Sequence, residues 1–151
     1  MAAEQLQIKL GISGTFWDRR PEYRVSFNGL PMAQDHIRAS TGVTEYIEFP
    51  VDYHEETVTL TVALLNKRPR DTMENHDKTG IMADMLLNIT ELHIDDIDVT
   101  HLLHQVSEYR PEYPEHHVGD AVVTRCVNLG WNGVWSITWT NPFYHWLLDH
   151  L

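Results

Sequence analysis

Seven oxygen-bearing side chains fall in one stretch of this sequence: Asn66, Asp71, Glu74, Asn75, Asp77, Asp84 and Asn88. A hard cation such as calcium takes about six to eight oxygen ligands from carboxylates, amide carbonyls and backbone, so the raw material for such a site is present. The spacing is not that of an EF-hand, which alternates acids around a central glycine and ends on a glutamate. An acidic chain also carries acids in any exposed loop, so the same residues read equally as solvated surface. A second set could meet a sugar, whose faces stack on aromatic rings and whose hydroxyls need polar partners. Phe16, Trp17, Tyr23 and Tyr53 stand in or beside expected turns. Most rings are core material, however. Trp17, between Phe16 and Asp18-Arg19-Arg20, is either a ligand platform or a contact for another subunit.

Other chemistry is poorly supplied. Among ten histidines, His101 and His104 are three apart and His116-His117 is a local pair. Zinc needs converging ligands in a tetrahedral set, and neither pair has an evident third member, so these read as surface residues. Glu45, Glu48, Asp95, Asp96 and Asp98 could provide the two carboxylates of a glycosidase, but acids on strands and turns are also what a wet sheet face presents. No nucleophile elbow, P-loop or dinucleotide glycine pattern occurs. Cys126, beside Val127 in an apolar alternation, reads as a buried inert thiol. The expectation is a protein without catalytic residues.

The elements that must carry these residues are strands. Leu6, Ile8, Leu10 and Ile12 alternate with polar neighbours, as do Tyr23, Val25 and Phe27 before the hairpin signal Asn28-Gly29. A third alternation, Val43 to Phe49, is expected to stop at Pro50. Val58, Leu60, Val62 and Leu64 mark the clearest strand. Residues 66–80 are polar and aperiodic, a loop of about fifteen residues of the kind usually reserved for function or disorder. A strand resumes near Met85 and runs to Ile94, followed by the turn pair Asp95-Asp96. One helical turn is expected over 101–106 and a second long connection over 107–119. Residues 121–128 and 134–140 read as a final hairpin around Gly130 and Gly133, with Trp135, Ile137 and Trp139 inward. Pro142 should open a short helix with Phe143, Trp146 and Leu147 along one face.

Short strands separated by turns, with almost no interior helix, make this an all-β sandwich spanning residues 1–151 as a single domain. The chain carries 22 acidic against 11 basic residues and a formal charge of −11, which opposes nucleic-acid binding. No apolar run reaches the roughly 18 residues of a membrane helix, and no signal-peptide core follows Met1. Neither a membrane nor secretion by a signal peptide is expected.

Residues 6–98 resemble the calcium-dependent xylan-binding carbohydrate-binding modules. The matching pieces are Phe16-Trp17 with Pro21, the strand 22–29, the strand 57–66 reading TVTLTVALLN, the polar loop, and the segment 83–96. The resemblance implies a jelly-roll sandwich with a glycan-binding face. It also implies calcium as cofactor, with Asn66, Asp84 and Asn88 as ligands, to which Asp77 of the loop is added. The family's usual aspartate is replaced by Asn88, and a neutral ligand lowers calcium affinity. Trp17, Tyr23 and Tyr53 are the candidate sugar-binding rings.

The last quarter has no place in that family. Asn128 to Gly133 (NLGWNG), Trp135, Trp139 and the run Asn141 to Trp146 are similar to the C-terminal part of small proteins encoded by large tailed phages of marine and cyanobacterial type. That similarity implies a non-catalytic subunit of a virion, made in the host cytoplasm. Its partners would be other virion proteins, further copies of itself, and a host glycan. Phe143, Tyr144, Trp146 and Leu147 are the candidate assembly residues. Because a segment so short is not a stable free helix, it must dock, by default on its own sandwich and otherwise on a neighbour.

Overall fold

In the computed structural model, residues 4–113 and 117–151 are described. Pro114 and His116, read above as part of the second connection and its histidine pair, lie outside the described residues. Those described form two packed sheets. The first has β1 (Glu4–Thr15) at its centre, flanked by β4 (Glu45–Tyr53) and β8 (Leu86–Ile94). β9 (Ile97–Asp98) and β12 (Asn128–Leu129) both pair with β8. The second runs in the order β11 (Val123–Thr124), β10 (Glu108–Pro111), β13 (Gly133–Thr140), β5 (Thr57–Leu64), β2 (Glu22–Phe27), β3 (Leu30–His36). Every pairing is antiparallel. The small hairpin β6 (Met73–Glu74) and β7 (Ile81–Ala83) stands apart, and α1 (Phe143–Leu148) closes the chain.

Alternation accounts for the core. Leu6, Ile8, Leu10 and Ile12 project from β1 into the same cluster as Val58, Leu60, Val62 and Leu64 of β5 and Trp135, Ile137 and Trp139 of β13. Both expected tight turns have left-handed backbone at their two central residues, Asn28-Gly29 (φ 49° and 80°) and Asp95-Asp96 (φ 52° and 63°). That geometry matches the twist of the strands they join.

Four expectations need correction. Pro50 does not end β4, which continues to Tyr53 with Phe49, Val51 and Tyr53 inward. β4 is an edge strand bonded only to β1, so a missing N–H can face solvent. Residues 66–80 are not structureless: they hold a 3-10 turn, Pro69–Asp71, and the start of the β6–β7 hairpin. The second connection contains β10, paired with β13. Finally, residues 121–128 and 134–140 do not form a hairpin with each other. β11 joins β10 in the second sheet, whereas β12 crosses to pair with β8 in the first. Cys126, on that crossing, is only partly buried.

The sandwich is closed at one end by α1. Phe143 is fully buried, edge-on to Trp139 at 5.7 Å between ring centroids, and Leu147 is also buried. The helix has therefore docked on its own sandwich. Tyr144 is half-exposed, with its hydroxyl donating to Asp95 Oδ2 at 2.5 Å, and Trp146 packs partly against the core.

Candidate functional site

An open cleft lies where the chain leaves β5, enters β8 and enters β13. Asn132 clamps Lys67, the third residue after β5. Its Oδ1 accepts from the Lys67 N–H at 2.7 Å and its Nδ2 donates to the Lys67 carbonyl at 3.0 Å. Gly133 follows because the strands approach closely there. A Cβ would collide with the backbone of Arg110 and Pro111, and the residue's φ of 151° is one that side chains rarely adopt. Trp131 is held through its main chain by buried Tyr109 of β10. The phenol donates to the Trp131 carbonyl and accepts from its N–H at 3.0 Å. Burial pushes the Tyr109 pKa up, so it remains a donor at neutral pH.

The Trp131 ring is thus presented without its own side chain being the anchor. His117 lies 5.2 Å from it and Tyr113 6.2 Å, and the latter two rings stack at 4.7 Å. The Lys67 ammonium lies over the Trp131 ring, 5.3 Å from its centroid. Lys67 has only 4% of its side chain exposed and donates to Asp84 Oδ1 at 2.7 Å and to the Gly130 carbonyl at 2.6 Å. The same Asp84 oxygen accepts from Thr72 Oγ1 at 2.7 Å and from the Met85 N–H at 2.8 Å. Together with Thr72, Glu74, Ile81 and His117, these groups line an open cleft of about 500 Å³. A smaller hollow of about 180 Å³ shares Lys67 and Trp131 and adds Glu112 and Asn132.

The wall contributed by residues 66–74 is pinned by a carboxylate that sequence reasoning placed among possible metal oxygens. Asp71 is buried and accepts from the Arg68 N–H at 2.7 Å, Arg68 Nη2 at 2.8 Å and Arg19 Nη2 at 3.3 Å. Burial raises its pKa, but the hydrogen bonds from Arg68 and Arg19 outweigh that and hold it at about 2. The indole N–H of Trp17 donates to the Asp71 carbonyl at 2.9 Å. Trp17 therefore ties this wall to the chain ahead of β2 while 46% of its surface stays exposed.

The candidate metal ligands are dispersed into separate duties. Asn66 bridges to the start of β2, accepting from the Glu22 N–H at 2.8 Å and donating to the Arg20 carbonyl at 3.0 Å. Asp77 caps the β6–β7 turn through Thr79. Asn88 donates to Thr15 Oγ1 at 3.1 Å and Ser13 Oγ at 3.3 Å. Of these four only Asp84 reaches the cleft, and its charged partner there is an ammonium. No group of three or more His, Cys, Asp or Glu side chains able to hold a metal occurs among the described residues. Calcium asks for oxygens that converge on one point, whereas these four side chains are bonded to separate elements and Asp84 Oδ1 is already shared by an ammonium, a hydroxyl and an N–H.

The candidate rings fare unevenly. Tyr23 and Tyr53 are buried, Tyr53 against Phe27 at 5.5 Å, so neither has a face for a ligand. They are core residues because their strands alternate inward at those positions. Trp17 keeps an exposed face but does not line the Trp131 cleft. His101 and His104 are exposed on a short 3-10 helix, Thr100–His104. Three candidate carboxylates serve local structure: Glu45 accepts from the Arg38 and Ala39 N–H groups, Asp95 from Gln7 N, and Asp98 from Thr100 N. Sequence reasoning missed Lys67, Thr72 and Trp131. The available signal was Gly130-Trp131-Asn132-Gly133, an aromatic between glycines in a turn, where a ring is easily left open to solvent.

No family model matches the sequence, and no curated protein matches it. Two solved structures are similar in fold. One is the carbohydrate-binding module vCBM60 in complex with galactobiose, which matches with a TM-score of 0.52 and 11% identity over 87% of this chain and 96% of that one. The other is a selenomethionine form of vCBM60, described as linking two families of calcium-dependent carbohydrate-binding modules by circular permutation. It matches with a TM-score of 0.54 and 11% identity over 87% of this chain and 89% of that one. The class defined here is accordingly a jelly-roll β-sandwich of the kind carbohydrate-binding modules use, with a short C-terminal helix. At this identity the likeness is one of fold.

Proposed function

We propose that this chain is a non-catalytic glycan-binding module that holds a neutral saccharide in the Trp131 cleft. The observation that carries the reading is a single solvent-open cleft joining an aromatic ring to an ammonium, a carboxylate and a hydroxyl: Trp131, Lys67, Glu74 and Thr72. A pyranose needs this combination, an apolar face to stack on and polar atoms for its hydroxyls. The fold likeness to a module solved with galactobiose supports it. Asp84 is already matched by Lys67, which leaves Glu74 as the formal charge in a chain of net charge −11. Acidic polysaccharides would be repelled.

A glycan array followed by calorimetry tests this. Neutral oligosaccharides should bind, and Trp131→Ala should weaken the best of them by about tenfold, the equivalent of one lost stacking contact. Unchanged affinity in that variant would refute the assignment of the cleft. No turnover of the bound sugar is expected.

A second reading places the module on a tailed-phage particle. It is favoured by the apolar surface left after α1 docks: Leu148 and Leu151 are 68% and 79% exposed, with Tyr144 half-exposed beside them. Tyr144, Leu148 and Leu151, rather than the buried Phe143 and Leu147, would then face virion proteins or further copies of the chain. Mass spectrometry of purified particles should detect the protein; its absence there rejects this reading.

A further inference from the structure

We infer that Lys67 is the permanent cation of the cleft, filling with a covalently tethered ammonium the organising role that a divalent metal would otherwise play. Three segments distant in sequence meet at this one charge: the end of β5 through Lys67 itself, the entry to β8 through Asp84, and the turn before β13 through Gly130. A bound metal gathers loops in the same way, by offering several oxygens one centre of positive charge. Here the centre is buried to 96%, since only 4% of the side chain is exposed. Its surroundings are two oxygens at 2.7 and 2.6 Å and the face of an aromatic ring at 5.3 Å.

The acceptor side is equally committed. Asp84 Oδ1 already takes three donors, from Lys67, Thr72 and Met85. A second cation placed on that carboxylate would sit beside an ammonium in a partly dry site, where like charges repel strongly. Asn66, another ligand implied by resemblance, spends both amide atoms on Glu22 and Arg20, and Asn88 is tied through its Nδ2 to Ser13 and Thr15 of β1, away from Lys67 and Asp84 in sheet position. The cleft is therefore assembled on folding, with no loading equilibrium and nothing for a chelator to remove. The claim that this frees sugar binding from calcium rests on the glycan reading above; the claim that Lys67 replaces the metal structurally does not.

The test uses the whole chain. Tryptophan fluorescence and the thermal midpoint are followed as calcium chloride is added to about 10 mM, and again in EDTA. No saturable fluorescence change is expected, and the midpoint should move by less than about 1 °C. Lys67→Met, which keeps the stem and removes the charge, should lower the midpoint by about 6–12 °C, as expected when one partner of a buried pair is deleted. Where a neutral glycan binds, its affinity in EDTA should equal that in calcium within about twofold. A saturable calcium response of the unaltered chain overturns the inference, as does a Lys67→Met midpoint equal to it. If Lys67→Met does not fold, its requirement for the charge is met and the calcium titration of the unaltered chain decides alone. Silence against every glycan refutes the proposed function while leaving the fluorescence and melting results to judge Lys67.

Discussion

At Asp71 a carboxylate out of contact with water accepts three hydrogen bonds from Arg68 and one from Arg19, and these donors hold its pKa at about 2 despite burial. An unfolded aspartate titrates near 3.9. The folded value is the lower one, so the stabilisation is complete above about pH 4 and is lost as pH falls through about 2. At neutral pH it is of order 2 kcal/mol. Asp71→Asn should therefore be less stable than the parent in urea at pH 7, with the gap closing between about pH 4 and pH 2; a gap that stays constant over that range would show that the charge is not its source. At this scale the sequence was a poor guide. Asp71 stood among seven oxygens with nothing to separate an anchor from a ligand. The distinction depends on Arg19, 52 residues away, and no local pattern encodes that meeting.

Elements were far more legible, because the period-two signal is written within a few residues. The strands centred on Leu10, Val25, Leu60 and Ile137 form where alternation places them. The failures share a cause. Pro50 looked terminal because the sequence does not say which strand lies at an edge. β8 carries a bulge at Thr90–Glu91, opposite Gly11–Ile12, which shifts the alternation by one residue so that Ile89 and Leu92 both face inward. Residues 121–128 and 134–140 looked like one hairpin because they are consecutive runs around two glycines, yet β11 pairs with β10 while the chain at Asn128 crosses to the other sheet. α1 was read correctly, as a face of Phe143 and Leu147 seeking cover. Phe143→Ala should cost about 3–5 kcal/mol in a denaturant titration, the usual figure for emptying a buried aromatic site. Leu148→Ser, at an exposed position, should stay within about 0.5 kcal/mol. Equal effects for the two would mean that the helix is not docked as described.

Considered whole, the molecule joins two sheets by crossings that line a cleft at one of their ends. Both stretches read as long connections contribute described residues to the cleft: the first supplies Lys67, Thr72 and Glu74, the second His117. Loops held by a rigid scaffold are where binding residues concentrate, and here the scaffold reaches into them through Asn132, Tyr109 and Arg19. Taken alone, the amino-acid sequence determined the fold class, most strands, two tight turns, the inward tryptophans and the docking helix. All of these follow from side-chain periodicity and turn chemistry, which act over a handful of residues. Only the tertiary structure decided which rings are open, which acids are already paired, and that Lys67 meets Asp84 and Gly130 in the cleft. Those outcomes depend on groups 17 to 63 residues apart coming within hydrogen-bonding distance, and the free energy of such a contact belongs to the packed sandwich rather than to any segment of it.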